Sequence, residues 1–155
     1  MSEIFSIVCQ NVTVSAAQDV LCAYAASTKK LILLGVELAA NGQTTVGNYP
    51  ISVKYLPATV TAGSGGGVTT PHNANPAGAA ASFTARMNDT TMATSSGTVI
   101  PVLASQFNPI NGYYWQPPSH ELEIISALSG AISLHLDAAP AGTIYLSATM
   151  WVKEI

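Results

Sequence analysis

The sequence predicts an all-β protein, an antiparallel β-sandwich of jelly-roll type, built as one domain over residues 1–155. Three observations carry this expectation. Apolar residues recur with period two in short runs, Gly, Pro and Asn punctuate those runs at close intervals, and scarcely any stretch holds a helical period. A chain of 155 residues has single-domain length, and 48% hydrophobic content is enough for a core.

Taken in order, residues 3–14 (EIFSIVCQNVTV) read as a first strand, with the alternation clearest at Val12-Thr13-Val14. Residues 15–26 are rich in alanine and open on Ser15-x-x-Gln18, a capping-box pattern that offers a short helix. Val20, Cys22 and Tyr24 also fit period two, and the strand reading is preferred. Residues 30–39 are a more continuous apolar run, as expected of a strand covered on both faces. In 51–60, Ile51, Val53 and Tyr55 face one way and Ser52 and Lys54 the other, until Pro57 demotes the end to an edge or bulge. Residues 82–87, 97–103 and 112–116 are further strands. The last third holds three alternating runs, 121–126, 131–137 and 143–153, with short Gly/Pro-bearing links. Ile132, Leu134 and Leu136 oppose Ser133, His135 and Asp137, and Ile144, Leu146, Ala148, Met150 and Val152 share a face. These runs read as an antiparallel meander with one buried face.

Residues 61–82 (TAGSGGGVTTPHNANPAGAAAS) have no apolar period. The glycines loosen the first half, and Pro71 and Pro76 stiffen the second. Two readings stand: a floppy excursion, or an arm that becomes ordered against another chain. The second is preferred, because small uncharged residues permit close backbone approach and prolines lower the entropy lost on docking. Removing Gly63–Ala79 is then expected to leave the fold intact. A phosphate cradle is excluded, since no Lys-Ser/Thr follows GSGGG. Asn88–Gly97 reads as a polar turn between strands.

Only 8% of residues are charged and the net charge is −3, against about 25% charged residues in an average soluble domain. Five scattered cations (Lys29, Lys30, Lys54, Arg86, Lys153) cannot neutralise a phosphate track, which argues against a nucleic-acid partner. No run approaches the roughly 18 apolar residues of a membrane span, and the first residues lack a basic leader, so a cytoplasmic origin is expected. Cys9 and Cys22 sit in apolar contexts and read as buried free thiols, with pairing left open.

Catalytic chemistry finds little footing. His72, His120 and His135 form no HxH or HExxH, and no GxSxG is present. His120-Glu121-x-Glu123 looks like a metal corner, but on a strand the two glutamates would share a face and His120 would point away. Glu37, alone in an apolar run, reads as an outward strand residue. No cofactor or metal is expected. More distinctive is Asn111-Gly112-Tyr113-Tyr114-Trp115-Gln116-Pro117-Pro118, where adjacent tyrosines on a strand must face opposite ways and expose one of them. The same residues, with Asn108, would also make a carbohydrate platform.

Several segments together carry a family likeness: NVTVSAAQD, Leu33-Leu34-Gly35-Val36-Glu37-Leu38, Gly63-Ser64-Gly65-Gly66 with Thr70-Pro71, and Phe83-Thr84-Ala85. Asn88-x-Thr90-Thr91, Ser96-Gly97-Thr98, Trp115 with Pro117, Leu136-x-x-Ala139-Pro140 and a final Val152-Lys153-Glu154 complete it. In these the chain resembles the capsid decoration (cement) proteins of tailed phages. The resemblance implies a sandwich or jelly roll, homotrimers seated on the major capsid protein lattice, a place on the virion exterior after assembly in the host cytoplasm, and no enzymatic activity. The residues themselves put the contacts with the shell or a neighbouring subunit on three places. These are the first strand (Ile4, Phe5), the long arm (Thr69, Thr70, Pro71, His72) and the aromatic cluster (Tyr113, Tyr114, Trp115). The alternative function is a receptor- or glycan-binding module of a head or tail fibre.

Overall fold

The computed structural model describes residues 3–41 and 47–155. Their strands are β1 (Glu3–Val14), β2 (Gln18–Tyr24), β3 (Leu31–Asn41), β4 (Tyr49–Leu56), β5 (Val60–Thr61), β6 (Gly67–Thr69) and β7 (His72–Asn73). There follow β8 (Thr84–Asp89), β9 (Thr94–Ser95), β10 (Ile100–Phe107), β11 (Tyr113–Trp115), β12 (Ile124–Ile125), β13 (Ala131–Leu136) and β14 (Ile144–Glu154). A 3-10 turn covers His120–Leu122. The first sheet runs β11-β3-β14-β1-β7, with β12 also on β3; the second runs β10-β4-β13-β2-β8-β6; β5 and β9 form a small ribbon. The pairings are antiparallel throughout.

The two sheets pack face to face as a β-sandwich. Phe5, Ile7, Leu38, Leu146 and Met150 of the first sheet meet Leu21, Val53, Ile132, Leu134 and Leu136 of the second in one core. Phe5 and Phe83 pack edge to face there, with ring centroids 5.3 Å apart. β2 is a strand, as the period-two reading preferred. Gln18, which would have capped a helix, instead donates its side-chain N–H to Asn88 Oδ1.

Alternation identified the buried face of the last third and misassigned the partners. Ile132, Leu134 and Leu136, and every second residue from Ile144 to Val152, are buried as expected. The meander does not form. β13 lies between β4 and β2, β14 lies between β3 and β1, and β12 pairs with β3. The link over 138–143 crosses the roughly 10 Å between sheets instead of turning within one. Period two reports which face a residue takes, not which strand lies beside it. The run at 121–126 shortens to Ile124–Ile125, behind the Pro117-Pro118 pair and the 3-10 turn.

Residues 61–82 are bound along their own sandwich, which rules out the floppy reading. β6 adds to β8 at the edge of the second sheet, and β7 adds to β1 at the edge of the first, so the segment straps one side of the sandwich closed. Its glycines serve close approach. A Cβ on Gly66 would collide with the carbonyls of Met87 and Asn88, and Gly65 has φ +92°. Ser64 and Thr91 exchange backbone hydrogen bonds of 3.0 and 2.9 Å, Gly66 N–H donates to Asp89 Oδ1 at 3.0 Å, and Thr69 Oγ1 donates to the Val8 carbonyl at 2.8 Å. Further along, Ala79 N–H donates to Glu3 Oε1 at 3.0 Å and Ser82 N–H to Glu154 Oε1 at 3.1 Å. Removing Gly63–Ala79 would therefore strip an edge strand from both sheets. Asn88–Gly97 is likewise more than a turn: Asp89 is fully buried and takes a two-pronged ion pair from Arg86, at 2.7 and 2.8 Å.

Candidate functional site

The two outer faces of the sandwich differ. That of the second sheet is roofed by the excursion between β4 and β10, and β13 is buried along its whole length. Ser133 and His135, which alternation turned outward, are therefore buried beneath a roof. Asp19 Oδ1 accepts from Ser133 Oγ at 2.6 Å and lies 2.9 Å from His135 Nδ1, while Asp19 Oδ2 accepts from the Ala93 N–H of the roof at 2.8 Å. Next to them Asp137 Oδ1 accepts from Ser52 Oγ at 2.8 Å and pairs with Lys54 Nζ at 2.9 Å. A Ser/His/Asp trio that no sequence motif announced thus comes together. Its hydroxyls are committed, Ser133 to Asp19 and Ser52 to Asp137, so neither is held against the imidazole as a nucleophile would be. The arrangement satisfies buried polar groups.

Both thiols are free and buried. Burial pushes Cys9 up to about 11. Burial, and then the charge of Asp19, raise Cys22 further, so neither presents a thiolate at neutral pH. His120 is on a 3-10 turn and not a strand; its Nδ1 lies 2.8 Å from Glu123 Oε1, so these two meet instead of pointing apart. Among the described residues no group of three or more His, Cys, Asp or Glu is placed to hold a metal ion.

Among the described residues nothing roofs the outer face of the first sheet, which is bare in that sense. Register sets Val8, Thr149, Glu37 and Tyr114 side by side across β1, β14, β3 and β11. The neighbouring row is His72, Ser6, Trp151 and Gly35 across β7, β1, β14 and β3. Trp151 lies over Gly35, where a Cβ would stand 3.6 Å from its ring. Tyr114 is 61% exposed, meets Trp151 edge-on at 6.4 Å and donates its hydroxyl to Gln116 Oε1 at 2.9 Å. A shallow depression of about 300 Å³ beside it is lined by Glu37, Ala39, Ile110, Asn111 and Tyr114, among others. Of the side chains that β1, β3, β11 and β14 turn to this face, Glu37 and Lys153 alone are ionised.

Against this surface the nine expected contact residues divide. Ile4, His72 and Tyr114 lie exposed on the bare face, and Thr70 is exposed on the strap. Thr69 and Pro71 are half-buried in the strap. Tyr113 and Trp115 are half-buried against the core, so adjacent aromatics do face opposite ways. Phe5 is a correction: it is 0% exposed, and β1 is no edge, because β14 flanks it on one side and β7 on the other. Sequence reasoning missed Trp151, although its alternation with Met150 and Val152 already turned it outward. It also missed the open edge at β10, where Ile100 and Val102 are 45% and 42% exposed.

In comparisons with known proteins, the chain matches no family model, no curated protein and no solved structure.

Proposed function

We propose that this protein is a structural virion component, a capsid decoration protein that binds the assembled shell as a homotrimer and stabilises it. The observation that carries the reading is the pairing of a satisfied interior with two nearly chargeless uncovered surfaces, the first sheet's outer face and the β10 edge. Interfaces between proteins deplete charge at their centres, and a partner that binds only the intact shell stabilises it by mass action. The resemblance of the sequence to cement proteins points the same way. Many copies on a repeating lattice would make individually weak contacts collectively strong.

The strand order supports the finer jelly-roll reading. Eight of the strands fall into the orders β1-β14-β3-β11 and β2-β13-β4-β10, with β7 and β12 added to the first sheet and β8 and β6 to the second, and those eight alternate between sheets from β1 through β4 and again over β10, β11, β13 and β14. Jelly rolls serve both capsid and lectin domains, so this topology does not choose between the two functions. The test is to heat phage heads assembled with and without the protein. Heads carrying it should retain their DNA to higher temperature; equal release curves would contradict the proposal.

A second reading, a glycan-binding module, is favoured by Tyr114 standing exposed above a depression edged by Glu37 and Asn111, since an aromatic face with hydrogen-bonding neighbours suits a sugar ring. It requires Tyr114 to remain uncovered in the working assembly. Binding on a glycan array that disappears in Tyr114→Ala would support it.

A further inference from the structure

The roof does not fill the space beneath it. A cavity of about 280 Å³ lies between it and the outer face of the second sheet. Register builds the floor: Ser133 of β13 lies beside Lys54 of β4, and Lys54 beside Pro101 of β10. Leu56, two residues beyond Lys54 on β4, shares its face, and Asp19 reaches the cavity from β2. Met92, Ala93, Thr94 and Val99 close over it from the roof. The roof is anchored beside this space. Ala93 N–H donates to Asp19 Oδ2, and the Ala93 side chain joins Leu56, Cys22 and Ala131 in a small core of their own. Met92 and Val99 are 47% and 37% exposed, which sets them at the mouth.

The lining is divided in its chemistry. Leu56, Val99 and Pro101 are among its apolar walls, where water finds few partners. Asp19, Ser133 and Lys54 stand together as its polar part. Asp19 Oδ2 accepts from Ala93 and Lys54 Nζ pairs with Asp137, yet a carboxylate oxygen and an ammonium each have capacity for a further bond. These two opposite charges decide which head group fits. An anionic group would meet Asp19 as a like charge, and a cationic one would meet Lys54, where water screens little. A hydroxyl avoids both conflicts, because it can donate to Asp19 and accept from Lys54. The volume is at the bottom of the range usual for small-molecule sites, so the body attached to that hydroxyl is short.

We propose that this cavity is a binding site for a small neutral amphiphile, a short apolar body ending in one hydroxyl. The hydroxyl sits between Asp19 and Lys54, and the body lies against Leu56 and Val99. The site belongs to the roofed face, so it goes beyond the proposed function and neither reading depends on the other.

The experiment is isothermal titration of the purified full-length chain with three probes of equal length: hexanol, hexanoate and hexylamine. Hexanol should bind saturably and roughly tenfold or more tightly than either charged probe, tenfold being about the weight of one hydrogen bond to a charged group. Lys54→Met removes the donor and should weaken hexanol by about the same factor. Val99→Trp and Met92→Trp each place an indole at the mouth. Both positions are exposed, so the fold should survive in each, shown by unchanged circular dichroism, while hexanol binding is lost. Absence of saturable hexanol binding to the unmodified chain would overturn the proposal. So would charged probes that bind as well as hexanol, an unchanged affinity in Lys54→Met, or a folded mouth variant that binds hexanol as before.

Discussion

The outer faces of the two sheets are made from similar strands and end in opposite states. On the second sheet, Asp19, Ser52, Ser133 and His135 are buried under the roof formed between β4 and β10, with the exposed Asp137 accepting from Ser52 at its margin. On the first sheet, Ser6, Thr149, Glu37, Tyr114 and Trp151 have no roof among the described residues. The difference separates two uses of polar residues. Beneath a roof they complete hydrogen bonds that burial would otherwise leave unmade. On a bare face they leave a surface that another protein can cover without desolvating many ions.

The comparison can be broken most severely from the roofed side. Asp19→Ala leaves the Ser133 hydroxyl, His135 and the Ala93 N–H without their common acceptor, and should cost about 3–5 kcal/mol in urea unfolding. A loss below 1 kcal/mol would mean that the roof does not seal this cluster. Gly66→Ala forces a methyl group into the backbone of β8 and should cost about 1–3 kcal/mol, measured the same way.

A smaller effect is expected where the strap meets β14. Burial acts to raise the pKa of Glu154, but the hydrogen bonds from Lys29 and from the Ser82 side chain and backbone outweigh it, and the net shift is downward. A carboxyl whose pKa is lowered on folding adds stability above its unfolded pKa and loses it as the pH falls through the folded value. The advantage of the unmodified chain over Glu154→Gln should therefore be present at neutral pH and vanish in acid. An advantage that persists unchanged at low pH would contradict the assignment. The smallest effect belongs to the bare face, where Tyr114→Ala should change the stability of the isolated chain by no more than about 0.5 kcal/mol while weakening its assembly.

Much of the sandwich was legible because period two reports burial directly, as along Ile144–Val152, and β2 was found despite its alanines and its capping box. Partner choice was not legible, since the links around Gly130 and Pro140 could turn within a sheet or cross between sheets. For the strap, close approach by a small-residue backbone was legible, but the surface it approaches was not: the carbonyls of Met87 and Asn88 facing Gly66 place it on its own sandwich. For the candidate surface, the tyrosine pair disclosed Tyr114. The face around it needed the register that brings Val8, Thr149 and Glu37 into line with it.

The central claim is that the uncharged outside of this sandwich is covered by neighbouring protein. Hydrogen–deuterium exchange across Ile100–Phe107 tests it most directly, because among the described residues this strand has a partner on one side only. Protection that grows with protein concentration and disappears in Val102→Glu is the expected result. Fast exchange at every concentration, equal in the two proteins, would contradict the account.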